Sequence, residues 1–304
     1  MSNIDECADG TAQSKGLLAR LVALPGDEAE TSIESKFRGL QCFLLIAAAF
    51  HAWVSRFPAP TPLFDAYQSW NCLAVTLCAL IGVSTRWTSH CLVVTWCLVL
   101  VRVITTFPTS ANHSFLELLL FSLAILCRSD RRAEQVLLLN GARWLVIIAM
   151  FFSGLQKLFH GGYFDGRFLA YMTAESDRSV VSAWALSPEA LAHIKNLAGH
   201  VGTGPYAVRE PLFVVMSNAV YVVEMLVGVL LLIPKGRKIT VVAAIGLVLV
   251  IETTSREFTF GSVAMYLFLL FWPSDLGRRL LPVFILRFGI LLFMEFQYPD
   301  GRIN

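Results

Sequence analysis

The sequence predicts an all-α fold: one polytopic transmembrane helical bundle of about nine spans, with its N-terminus cytosolic. Three observations lead there. Of 304 residues, 56% are hydrophobic and only 15% charged, with a mean hydropathy of +0.64. Soluble domains carry about 25% charged residues, so this chain lacks the polar surface to cover itself in water. The apolar residues also come in continuous runs, whereas a membrane β-barrel alternates. Finally, the turns between runs carry basic residues mainly on one side. A cytosolic enzyme and a disordered chain are excluded by the same composition. The net charge of +2 is spread along the chain and does not suggest nucleic acid as a partner.

Residues 1–36 are polar and mixed in charge and lack the basic start and apolar core of a signal peptide, so they read as a cytosolic tail. The rest, 37–304, reads as one transmembrane domain. Apolar runs follow at 38–56, 69–85, 89–107, 114–128, 143–160, 212–233, 239–254, 258–273 and 280–296. A bilayer core needs about 20 helical residues, so the fourth and eighth runs are short and are expected to be tilted or half-buried. The tail and the turns on its side hold 14 Lys and Arg, against 7 on the other side. This places the 161–211 segment outside, as a cap over the bundle. The seven cysteines include no CxxC or other ligand spacing, and six lie in or beside apolar runs, where they act as small hydrophobes.

Ionisable groups inside spans are costly and mark candidate sites. With this topology, Arg102, His113, Glu117, Lys157, Glu252 and Arg256 all fall in the outer leaflet, on different helices. Glu224 lies roughly 18 Å below the start of its run. Such convergence suggests a lined cavity. Each residue also has a structural reading. Lys157 can reach the headgroups, His113 can sit at the interface, and Arg102 with Glu117, or Glu252 with Arg256, can satisfy each other as ion pairs. Glu224 is either a neutral hydrogen-bonding group or a proton or ligand site. His51 and His90 carry less weight, and His193 and His200 fit no metal pattern. No HExxH, phosphate loop, dinucleotide motif or GxSxG elbow is present.

Two stretches then resemble a known family. Asn112-His113-Ser114-Phe115-Leu116 resembles the NHSYL-type motif of the vitamin K-dependent γ-glutamyl carboxylases and their bacterial relatives, the HTTM membrane proteins. Phe151-Phe152-Ser153-Gly154-Leu155-Gln156-Lys157-Leu158, followed by Gly162-Tyr163 and Met172, is similar to that family's FIAGxKKL…GY.M motif. Glu224 aligns with an acidic position of the comparable span, and Phe258–Pro273 looks like FSIGMFxYxML. The likeness covers roughly residues 36–285.

The resemblance implies a membrane enzyme in which Lys157 is the base that starts oxygenation of a reduced quinone of the vitamin K or menaquinone type, with His113 supporting the proton chemistry. In the carboxylases the strong base so formed removes a proton from a glutamate γ-carbon, and carbon dioxide adds there. Arg102, Glu117, Glu224, Glu252 and Arg256 would bind the quinone or shape the field around it, and an apolar groove between helices would hold its tail. The implied partners are the lipid bilayer, the quinone, and a peptide or small-molecule substrate. The implied location is a bacterial inner membrane, and no metal is implied. Two departures bear on the substrate. Gln156 replaces the first lysine of the KK pair, and the large C-terminal luminal part of the carboxylases has no counterpart before Asn304. Hydroquinone chemistry without carboxylation is therefore also open, with 161–211 as the candidate for substrate capture. Two other readings stand beside the enzyme. One is a non-catalytic scaffold or peptide-maturation factor using the same cavity. The other is a small proton-coupled transporter with Glu224 as proton carrier, although no inverted repeat is visible.

Overall fold

The computed structural model describes residues 30–54, 61–107, 112–127, 131–175, 183–200, 204–255 and 258–297. Every regular element among them is a helix. In chain order these are α1 (Glu30–Val54), α2 (Pro62–Ser84), α3 (Thr88–Thr106), α4 (Asn112–Leu126), α5 (Arg132–His160), α6 (Arg167–Glu175), α7 (Pro188–Asn196), α8 (Pro211–Leu230), a 3-10 turn (Pro234–Gly236), α9 (Arg237–Ser255), α10 (Phe258–Leu269), α11 (Leu276–Arg279) and α12 (Leu281–Gln297). Five of them, α1, α2, α3, α5 and α8, are long and apolar enough to cross a membrane. The other four apolar runs also fold as helix, in α4, α9, α10 and α12. Most of the presumed tail, 1–29, lies outside the described residues, and α1 begins at Glu30, inside the stretch expected to be tail.

Local signals account for the helix ends. Thr61 caps α2, its hydroxyl accepting from the Phe64 amide at 3.2 Å, with Pro62 in the first turn, where its missing N–H costs nothing. Ser187 and Pro188 start α7 in the same way. The α5 helix stops at Gly161, whose φ of 70° is the left-handed conformation that glycine adopts without strain.

At the centre stand α1 and α10. Helix α1 packs against α2, α3, α4, α5, α10, α11 and α12, and α10 is buried from Gly261 through Leu269. A helix apolar on every side is stable only when wrapped by others, so α10 needs no bilayer-spanning length. Its 12 residues are about 18 Å long. An aromatic seam joins α1, α10 and α12: Phe43 stacks on Tyr266 at 3.9 Å and Phe50 on Phe288 at 4.4 Å.

The buried C-terminal end of α10 leaves carbonyls without helical partners. Lys36 donates to the carbonyl oxygens of Leu270 and Trp272 at 3.3 and 2.6 Å. Arg143 donates to Leu270 at 3.1 and 2.6 Å through Nε and Nη2. Both cations are buried, and they stand where the helix dipole favours positive charge. The sequence-based orientation counts these two as turn charges; here they are satisfied inside the protein. The 161–211 segment contributes α6 and α7 to a small second core of Ala170, Ala174, Leu186, Ile194, Tyr206, Val208 and Phe213.

Candidate functional site

The ionisable residues of the spans gather in three places. The first lies between α5 and α8, the most extensive helix contact among the described residues. Close approach depends on Gly154: a Cβ there would stand 2.6 Å from the Tyr221 carbonyl oxygen and 2.7 Å from Met225 Cγ. Lys157 is three residues further along the same face of α5. Helical side chains lean toward their own N-terminus, so the Lys157 amine is carried back over Gly154. There it meets Glu224 in a close ion pair. The Lys157 side chain keeps 23% of its exposure and that of Glu224 only 4%. The second carboxylate oxygen, Oε2, is buried and makes no hydrogen bond among the described residues.

The turn after α5 completes this site. Ser217 Oγ and Asn218 Nδ2 donate to the Tyr163 carbonyl at 2.9 and 3.3 Å, fastening the turn to α8. The Tyr163 ring is thereby held 5.8 Å from Lys157 Nζ, within cation–π range. It also stacks on Phe168 at 4.8 Å and meets Tyr221 edge-on at 6.5 Å. The result is a reachable amine beside an aromatic wall, with a buried carboxylate beneath it.

The second place joins α1, α3 and α4. Glu117 Oε2 lies 2.5 Å from His51 Nδ1 and 3.1 Å from Arg102 Nη2. The same Nη2 lies 2.7 Å from His51 Nδ1. The expected Arg102–Glu117 pair is therefore present, and His51, given little weight from sequence, is its third member. In the third place Glu252 pairs with Arg287 at 2.5 Å, and Arg287 Nε donates to Ser262 Oγ at 3.0 Å. The partner suggested by sequence was Arg256, which lies outside the described residues. Arg287 sits inside an apolar run, so the reasoning that singles out Arg102 would have found it as well.

The His113 backbone is in the first turn of α4, but its side chain lies outside the described residues. Leu123 of α4 faces Gly141 of α5. From that level His113 lies about 15 Å along α4, and Lys157 about 24 Å along α5, toward the same end of this antiparallel pair. Among the described residues Lys157 and Glu224 make no hydrogen bond to the Arg102 cluster; the Lys157 pair joins α5 to α8, and the Arg102 cluster joins α1, α3 and α4. No group of three or more metal-ligating side chains occurs among the described residues.

Fold and sites together define the class: an all-helical membrane protein with buried ion pairs inside its bundle. No family model, curated protein or solved structure matches the chain.

Proposed function

We propose that this protein is a membrane enzyme of the vitamin K-dependent carboxylase type, acting on a reduced quinone with Lys157 as the base. The observation that carries the reading is the Lys157–Glu224 pair: an amine still reachable from outside, backed by a buried carboxylate with one oxygen uncommitted. Of the positions quoted for the family likeness, Glu224 lies 67 residues from Lys157 in sequence and meets it here, beside Tyr163. A planar ring with a hydroxyl fits the donor set, because Tyr163 offers a face and Lys157 a proton acceptor once its own proton is passed on.

The overall chemistry would be a four-electron reduction of oxygen by the reduced quinone, one oxygen atom going to the epoxide and the other to water. The protein's part is to hold and move protons. Glu224 fixes the amine and accepts a proton from it within one hydrogen bond, so no net charge is created in a low-dielectric interior. Tyr163 and Phe168 exclude water from one side. Carboxylation of a second substrate, with carbon dioxide as co-substrate, is the further step the likeness suggests, and a bacterial inner membrane is the residence it suggests. The scaffold and carrier readings lead to different results in the same experiment.

The test is to incubate the purified protein with reduced menaquinone and oxygen and to measure quinone epoxide by mass spectrometry. Epoxide that falls at least about a hundredfold in Lys157→Ala is expected. Bound quinone without epoxide would support the scaffold reading. Proton flux lost in Glu224→Gln, without quinone turnover, would support the carrier.

A further inference from the structure

A cavity of about 20 Å³ lies among the ends of α1, α2 and α3, lined by Tyr67, Gln68, Asn71, Arg102, Thr105 and Thr106 among others. It belongs to the Arg102 cluster and not to the Lys157 site. Its polar groups divide sharply into donors and acceptors. Thr105 Oγ1 donates to the carbonyls of Val101 and Arg102 at 2.9 and 3.0 Å, and Thr106 Oγ1 to Arg102 at 2.8 Å. The hydroxyl protons of both threonines are thus already used. The Asn71 amide donates to Leu98 O at 3.3 Å. Two further donors line the cavity. The Tyr67 hydroxyl is buried with no hydrogen-bond partner among the described residues. Arg102 uses only Nη2, toward Glu117 and His51, which leaves Nε–H and Nη1 uncommitted among the described residues.

The way Arg102 is held decides what it can take. Two-point recognition of a carboxylate or phosphate needs Nη2 together with Nε or Nη1. Nη2, which belongs to both two-point faces, already stands against Glu117 Oε2 and His51 Nδ1, so Arg102 offers single N–H contacts from Nε or Nη1, and its charge is balanced by Glu117 at 3.1 Å. The volume points the same way: about 20 Å³ admits a group the size of one water and no tetrahedral anion. Beside the cavity, at the ends of α2 and α3, Leu63, Ile104 and Phe107 stand exposed at 81%, 65% and 69%, an apolar setting for a tail in lipid.

We propose that this cavity binds the carbonyl oxygen of a neutral, membrane-soluble amphiphile, held by an N–H of Arg102 and the hydroxyl of Tyr67. A quinone ring and a glycerolipid ester share this chemistry. The proposal does not depend on the reading of Lys157, which uses other helices.

The experiment measures binding of a decyl-tailed benzoquinone, a diacylglycerol and decanoate to the purified full chain in maltoside micelles, which contain no ester. Arg102→Ala would strand Glu117 and His51 and is a poor probe. Tyr67→Phe removes a hydroxyl that makes no hydrogen bond among the described residues, so its melting temperature should be equal to or above wild type. A carbonyl probe that binds wild type and is weakened about tenfold in Tyr67→Phe is the expected result, and which of the two probes does so names the source. Decanoate binding more tightly than both, or carbonyl probes unaffected by Tyr67→Phe, or none of the three binding, would overturn the proposal.

Discussion

At the scale of single residues, Lys157 and Glu224 form a pair whose two members differ in access, and that difference makes them separable by substitution. Glu224→Gln keeps a hydrogen-bonding group beside Lys157 but cannot accept its proton. Turnover is expected to drop by about two orders of magnitude, with the protein still folded. Quinone turnover and thermal unfolding in parallel check this, and wild-type turnover would show that the carboxylate only positions the amine. Lys157, Glu224, Arg102 and Glu117 were all legible from sequence, because each is an ion inside an apolar run and must be explained. Which ions pair was not legible. Lys157 has Glu224 as its partner through a close approach at Gly154 that no periodicity reveals. His51 escaped attention because a lone histidine at the end of a run reads as an interfacial group.

At the scale of elements, two contacts hold the site helices and make separate predictions. A Cβ on Gly261 would stand 2.0 Å from Glu252 Oε1, so Gly261→Ala must push the carboxylate off Arg287. Loss of one partner of a buried pair costs roughly 3–5 kcal/mol, discounted here because the Arg287 side chain keeps 24% exposure. A loss of about 2 kcal/mol is expected by chemical or thermal unfolding. The double variant Gly261→Ala/Glu252→Ala should lose less than the sum of its single variants, because the clash and the pair share one atom; strict additivity would contradict the clash. Between α5 and α8, Gly154→Val would drive the helices apart at Tyr221. Both stability and quinone turnover should fall together, as overpacking costs about 1–3 kcal/mol. All nine apolar runs were recognisable as helices because continuous apolar length is a strong signal. The burial of α10 was not, since a short helix facing lipid and one wrapped by other helices look alike in sequence.

At the scale of the whole molecule, the bundle is organised around α1 and α10, with helices that expose large apolar side chains outside. The shortness of α10 follows from its place: wrapped by protein along its length, it need not match the bilayer thickness, whereas α1, equally central, is long enough to span. Lys36 and Arg143 close the end of α10. Changing both to Met would uncap buried carbonyls and is expected to unfold the centre at temperatures that leave Lys36→Arg intact, as read by thermal melting. The sequence-derived orientation predicts that a cysteine placed in α7 reacts with an impermeant thiol reagent added outside intact cells. Protection there, with reaction after permeabilisation, would reverse it.

The most direct test of the central claim is quinone turnover by Lys157→Arg. Arginine keeps the positive charge and the ion pair with Glu224, so a purely structural role survives the change. It cannot give up its proton near neutral pH, so a catalytic base does not. A folded Lys157→Arg protein that binds reduced quinone and forms no epoxide is the predicted result. Epoxide formed at the wild-type rate by that variant would contradict the assignment of Lys157 as the base.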